Sequence, residues 1–265
     1  MRGQHRSRGH KKSHGGCQEI DLYITDPPYN VDYTGGTKDA LKIMNDSMED
    51  SAFRAFLTDA FKAANSVMRP GSGFYIWHAD SEGYNFRAAV KSIWILRQNL
   101  VWVKNSIVLG RQDYQWKHEP CLYGWKAGTH YFFDDRTEAT VIDDKLDIRK
   151  LKKDQMLNLL EKIFSDKNPT TVLYEDKPLH NDVHPTMKPV RLIARLIRNS
   201  SRQNAKVLDS FGGSGTTLIA CEQLGRRAFL CELDPHYCDV IIQRWENLTS
   251  KQAVLITEGS DETSG

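Results

Sequence analysis

The sequence predicts an α/β protein, a doubly wound sheet whose strands are separated by amphipathic helices. Three observations carry this. Short apolar runs alternate with longer runs of helical spacing from about residue 20 to residue 250. A glycine loop, Phe211-Gly212-Gly213-Ser214-Gly215, joins an apolar run to a helical one. The first apolar run, Ile20 to Thr25, ends on Asp26-Pro27-Pro28-Tyr29, where two prolines forbid further strand or helix and force a turn.

Taken in order, residues 1–19 are polar, with Gly and His interspersed, and read as a basic disordered tail. A Gly-, Thr- and Lys-rich loop follows the proline turn to about Asp50. Ser51 to Met68 has Phe53, Phe56, Leu57, Ala60, Phe61 and Ala64 at helical spacing, and Arg69-Pro70-Gly71 stops it. Gly73 to Trp77 reads as a strand, 81–92 as a helix, and Leu100–Lys104 and Pro120–Trp125 as two more strands. Residues 126–142 are irregular, 143–165 form a charged amphipathic helix, and 166–188 a loop. A helix starts at Pro189, with proline well placed in its first turn. Lys206–Asp209 is a strand, Thr216–Leu224 a helix closed by Gly225, and Ala228–Glu232 a second strand.

Composition narrows the class. The chain has 265 residues, 40% of them hydrophobic, which suits one core with an insertion. No apolar run reaches the 18 or so residues of a membrane span, and the basic start has no apolar stretch behind it. A membrane partner is therefore not expected, and a cytoplasmic location is. Cys17, Cys121, Cys221, Cys231 and Cys238 form no CxxC pair and read as reduced thiols. Residues 1–16 hold Arg2, Arg6, Arg8, Lys11 and Lys12 and no acid, leaving 31 basic against 34 acidic residues elsewhere. A basic arm on a nearly neutral body suits a polyanion. His5, His10, His14 and Cys17 match no ligand spacing, so no metal is expected; Cys231 reads as core strand, with His236 and Cys238 on a helix.

The glycine loop sits where a ligand could approach backbone and free helix N–H groups. Glu232 lies 20 residues after Gly212, the spacing at which a carboxylate receives ribose hydroxyls. Gly215 is followed by Thr216-Thr217, so no P-loop lysine is present, and GxGxxG is absent too. A nucleoside cofactor without pyrophosphate remains, S-adenosylmethionine being the obvious one. Its candidate contacts are Asp209, Phe211, Gly212, Gly213, Ser214, Gly215, Thr216, Glu232 and Leu233.

The proline turn offers a carboxylate on Asp26, a fixed carbonyl on Pro27, the rigid ring of Pro28 and the aromatic face of Tyr29. An exocyclic amine on a nucleobase is a poor nucleophile, because its lone pair is delocalised into the ring. Two acceptors holding its N–H protons free that lone pair for in-line attack. Asp26 and the Pro27 carbonyl can be those acceptors, while Tyr29 stacks on the base, worth roughly 1–3 kcal/mol. Arg111, Lys117, Lys126 and Arg136, with Tyr114, Trp116, His118 and Trp125, are candidates for lining a nucleic-acid cleft.

These motifs resemble the β class of DNA amino-methyltransferases in content and in order. The catalytic Asp-Pro-Pro-Tyr comes first, then a recognition region, then His184-Pro185-Thr186-Met187-Lys188-Pro189, then the cofactor loop. The stretch Tyr114-x-Trp116-Lys117-His118-Glu119-Pro120 resembles one common in phage and prophage members. The resemblance implies a circularly permuted Rossmann-like methyltransferase fold, a mixed sheet with an antiparallel hairpin at one edge and an inserted target-recognition region. It divides the chain into a catalytic half at 20–125, the insertion at 126–183, a cofactor half at 184–250 and a tail at 251–265. It implies S-adenosylmethionine as cofactor and Asp26 among its contacts. Thr186 and Lys188 map to the segment near the methionine carboxylate. It further implies double-stranded DNA as partner, leaves room for a homodimer, and, through Asp in the first catalytic position, points to adenine N6. Cytosine N4, RNA, and a silent DNA-binding relative stay open as alternatives. The family also carries a strand before the catalytic one, which the polar residues 1–19 do not offer; one wall of the cofactor site is accordingly expected to be open.

Overall fold

The computed structural model describes residues 19–31, 47–108, 113–133, 172–174 and 187–256. Its elements, in chain order, are β1 (Ile20–Thr25), α1 (Asp50–Val67), β2 (Met68–Trp77), α2 (Gly83–Lys91), β3 (Ile95–Val108) and β4 (Trp116–Trp125). After them come β5 (Val172–Tyr174), α3 (Val190–Ser200), β6 (Lys206–Asp209), α4 (Thr216–Leu224), β7 (Arg227–Leu230) and α5 (Pro235–Thr249). The strands form one mixed seven-stranded sheet in the order β5-β3-β4-β2-β1-β6-β7. β2, β1, β6 and β7 are mutually parallel, whereas β4 runs antiparallel to both β2 and β3.

β1 is central and parallel to both neighbours, so Leu22, Tyr23 and Ile24 are all buried and the sequence there is continuously apolar rather than alternating. One face is covered by α1, which presents Phe53, Leu57, Phe61 and Ala64, joined by Phe86, Ala89 and Val90 of α2. The other is covered by Leu192, Ile193, Leu196 and Ile197 of α3, with Ala220 and Cys221 of α4. The helix after β1 and the helix after β6 thus lie on opposite faces. Between two such strands the connections diverge and leave a crevice at the carboxyl ends, where α/β proteins bind ligands. The Asp26 turn and the glycine loop both emerge there.

Several expectations shift in detail. The helix read over 81–92 is a short 3-10 turn at Asp80–Glu82 followed by α2. The two strands read at 100–104 and 120–125 belong to a long hairpin, β3 and β4, of 14 and 10 residues. That hairpin is not outermost, because β5, inside a segment read as loop, pairs with Val101–Val103. The last strand ends at Leu230, which leaves Cys231 exposed rather than in the core. The expected helix at 143–165 and all but the last residue of the expected tail at 1–19 lie outside the described residues. No helix among the described residues is long and apolar enough to cross a membrane.

Candidate active site

The Asp26 turn is held from both sides. Asn30 adopts a left-handed conformation (φ 59°), which asparagine tolerates better than most residues. Its side chain donates to the Met48 carbonyl at 3.0 Å and accepts from the Met48 amide. Within the turn, the Tyr29 hydroxyl donates to one Asp26 oxygen at 2.5 Å, and the Lys188 ammonium donates to the other. Lys188 also donates to the Tyr29 hydroxyl at 3.0 Å. Burial, and then the Asp26 and Glu119 charges, push the Tyr29 phenol well above its ordinary range, so it remains a donor. For Lys188 burial works against the charge, but Asp26 and Glu119 outweigh it and raise the ammonium above its usual value. Lys188, expected near a bound carboxylate, here donates to the carboxylate of Asp26.

The opposite wall is the glycine loop. Asp209, buried at the end of β6, accepts from the hydroxyls of Thr25 at 2.9 Å and Thr217 at 2.6 Å, and from the Phe211 amide at 3.1 Å. It therefore ties the end of β1 to the end of β6. Burial pushes its carboxyl up to about 7 despite those three donors. Gly213 and Gly215 have φ of 51° and 78°, and a side chain at Gly215 would stand 3.0 Å from Ile241. Glu232 accepts from the amides of Gly213 at 2.7 Å, Leu233 at 2.8 Å and Asp234 at 2.9 Å. A carboxylate has about four lone-pair sites, so one remains for a hydroxyl. Ser214 and Thr216 are buried, with their hydroxyls 3.4 Å apart and that of Thr216 3.5 Å from the Lys188 carbonyl. Phe211 packs its ring against Phe56, and Leu233 is exposed at the rim.

Both walls line one cavity of about 410 Å³, which includes Asp26, Pro27, Pro28, Tyr29, Trp77, Lys188, residues 209–214, Thr216, Thr217, Glu232 and Leu233. That volume suits a nucleoside-sized ligand. The donor set suits it too: a carboxylate for hydroxyls, apolar walls for a ring, and backbone at glycines for close approach.

Sequence reasoning missed Glu119 and Lys104. The β3–β4 register pairs Trp102 with Glu119, and Glu119 lies 2.5 Å from the Lys104 ammonium and 3.3 Å from that of Lys188. No local pattern announces such a cross-strand group. Of the nucleic-acid candidates, Tyr114, Trp116, Lys117 and His118 lie at the tip of the β3–β4 hairpin. Trp77 pairs with Cys121, so the hairpin residues before it project past the carboxyl edge, on the cavity's side of the sheet. Tyr114 is 91% exposed there. Lys126 lies at the opposite end, where its ammonium donates to the carbonyls of Asn65 at 2.8 Å and Met68 at 2.7 Å. It closes the end of α1 and stands apart from the hairpin set, and Trp125, paired with Gly73, shares that end. Arg111, Arg136 and Thr186 lie outside the described residues.

Comparison with known proteins bears on this arrangement. The chain is 25% identical over 239 residues to the type II methyltransferase M.BglII of Bacillus subtilis, covering 84% of this chain and 63% of that protein. It thus spans less than two thirds of that relative's length. It is 24% identical over 233 residues to the DNA adenine methyltransferase YhdJ of Escherichia coli K12, covering 86% and 76%. Among solved structures, the M1.HpyAVI–SAM complex superposes with a TM-score of 0.57 at 20% identity over 86% of this chain and 89% of that one. The cytosine-N4-specific PvuII DNA methyltransferase does so with a TM-score of 0.59 at 15% identity, over 86% and 80%. The family described as DNA methylase, N6_N4_Mtase, matches residues 20–244. With its motifs gathered around one cavity and that match running through nearly the whole described sheet, the chain belongs to the N6/N4 DNA methylase family.

Proposed function

We propose that this chain transfers a methyl group from S-adenosylmethionine to an exocyclic amine of a base in duplex DNA, and that the base is adenine, modified at N6. The observation that carries the reading is the shared cavity: the Asp26–Tyr29 turn and the Gly213–Glu232 loop face one chamber. When bound, S-adenosylmethionine supplies a methyl group on a sulfonium, whose leaving group needs no acid. Glu232 and the amides of the glycine loop hold the nucleoside part, with Phe211 and Leu233 as apolar walls. Asp26 spends one lone pair of each oxygen on Tyr29 and Lys188 and keeps others for an amine N–H. As the bond forms, the amine nitrogen turns positive, and a fixed carboxylate stabilises that charge until a proton leaves. Tyr29 offers its ring to an extruded base, and the hairpin residues Tyr114, Trp116, Lys117 and His118 offer contacts to the duplex.

Asp in the first catalytic position supports adenine. The likeness to PvuII methyltransferase keeps cytosine N4 as a second reading. Incubation with labelled S-adenosylmethionine and unmethylated genomic DNA, then nucleoside analysis, decides. N6-methyladenine that vanishes with Asp26→Ala is the expected result. N4-methylcytosine would move the target to the second reading. Cofactor binding with no methylated nucleoside would overturn both.

A further inference from the structure

We propose that Glu119 is a positioning residue of this site, holding the Lys188 ammonium against Asp26 and Tyr29 from outside the cavity. The inference rests on the function proposed above and deepens it. Glu119 is not among the residues that line the cavity, so it acts without touching substrate: chiefly through its ion pair with Lys188, and through the charge it adds near Tyr29.

Four charges alternate along a short path: Lys104, Glu119, Lys188, Asp26. Glu119 Oε1 lies 2.5 Å from Lys104 Nζ, while Oε2 is buried, accepts no aligned hydrogen bond, and has Lys188 Nζ at 3.3 Å. The second oxygen is therefore compensated by charge, and the charge it faces is Lys188. Lys188 in turn directs its hydrogen bonds to Asp26 and the Tyr29 hydroxyl, so Glu119 stands behind an ammonium whose donors point at the reacting end. Among the described residues, the groups facing Lys188 are Asp26 and Tyr29 from the turn, Glu119 and the Cys121 thiol from β4, and the Trp77 ring from β2, whose centroid is 5.1 Å away. Burial raises both the Tyr29 phenol and the Cys121 thiol well above their ordinary ranges, so both stay neutral. Among the described residues the negative charge around Lys188 thus comes from two carboxylates, Asp26 at the cavity and Glu119 behind it.

Without Glu119, Lys188 would keep a single carboxylate in a low-dielectric site and would confront Lys104 unscreened. Burial would then favour loss of its proton. A neutral Lys188 leaves Asp26 held by Tyr29 alone. The expected consequence is a reaction that fails at lower pH on the alkaline side, with substrate binding unchanged.

The test uses the full chain and three variants: Glu119→Gln, Glu119→Asp and Lys104→Gln. The first readout needs neither cofactor nor DNA: the titration of Lys188 followed by NMR of its labelled Cε. In Glu119→Gln the midpoint should fall by about one pH unit or more, whereas Glu119→Asp, which keeps the charge, should restore most of it. Lys104→Gln should raise it, because Glu119 then serves one ammonium. The second readout is the pH profile of methyl transfer. In Glu119→Gln the alkaline limb of kcat should move down together with the Lys188 midpoint, while KM for DNA and cofactor stays put. An unchanged Lys188 midpoint in folded Glu119→Gln, or an activity loss uniform across pH, would overturn the proposal. If Glu119→Gln does not fold, Lys104→Gln decides, and no upward shift there overturns it. Shifted midpoints in a protein that methylates no nucleic acid would sink the proposed reaction and leave the Glu119–Lys188 coupling intact, so the two failures are distinct.

Discussion

The backbone amide of Gly213 donates to the side chain of Glu232 across 2.7 Å, so the glycine loop and the acidic residue of the next strand form one unit. Glu232 shapes the loop and also faces the cavity. Glu232→Ala should therefore weaken S-adenosylmethionine binding by about 1.5–3 kcal/mol, the scale of a charged hydrogen-bonding group. It should also lower thermal stability, since three amides lose their acceptor. Calorimetric titration and thermal melts read the two effects. Unchanged affinity with a lowered melting point would show that Glu232 acts on the loop alone.

Tyr29→Phe separates the ring from the hydroxyl. The ring keeps its edge contact with Phe86, 6.4 Å between centroids, but Asp26 loses a donor. A fall in kcat of about tenfold or more is expected, the worth of a hydrogen bond to a charged group, with DNA affinity nearly unchanged. Tyr29→Ala should in addition weaken DNA binding. Equal kcat in Tyr29→Phe and the parent protein would remove the hydroxyl from the mechanism.

Asp209 gives the fold a pH dependence of unusual sign for a carboxylate. Its folded value, raised to about 7, lies above the ordinary 3.8, so between those values the folded state holds a proton that the unfolded chain has released. Stability should fall as pH rises through that window, with a slope of at most about 1.4 kcal/mol per pH unit from this group. His78 acts oppositely: burial lowers its imidazole, so its contribution is lost as pH falls below 6.5. Denaturant melts of the parent chain and of Asp209→Asn isolate the first effect. The stability of the parent relative to Asp209→Asn should fall from pH 4 to pH 7, and a difference that stays constant would refute it.

Lys117 and Lys126 lie at opposite ends of β4 and should behave differently. Lys117→Ala should reduce the salt dependence of DNA binding by about one phosphate contact. Lys126→Ala should leave that slope alone and cost stability, because the carbonyls of Asn65 and Met68 lose their donor. Binding isotherms at several salt concentrations distinguish them.

Phe61, buried between α1 and the sheet against Tyr23 and Trp94, marks the core behind the site. Phe61→Ala should cost about 3–5 kcal/mol of stability. The melting curve of the isolated protein checks it.

What could be read from the sequence was local. Gly225 closes its helix in a left-handed conformation, as glycine after a helical run suggests. The two prolines end β1, and α1 turns its phenylalanines to the sheet, because both signals lie within a few residues. The partners that define the site are distant: Asp209 meets Thr25 across 184 positions and Lys188 meets Asp26 across 162. Nothing near Lys188 says which carboxylate it will meet, and Glu119 reads as an ordinary polar residue of a strand. β5 was illegible for a related reason: three residues pairing with Val101–Val103 have no periodicity to detect.

The placement of β1 beside β6 has a consequence for synthesis. A ribosome releases the Asp26 turn well before Glu232, which lies 206 positions later. At typical elongation rates of about 5–20 residues per second, roughly 10–40 s separate the two. During that interval the nascent chain carries the Asp26 turn without the opposite wall of the cavity. The protein is born inert, and it gains the means to mark DNA only when its late residues reach its early ones.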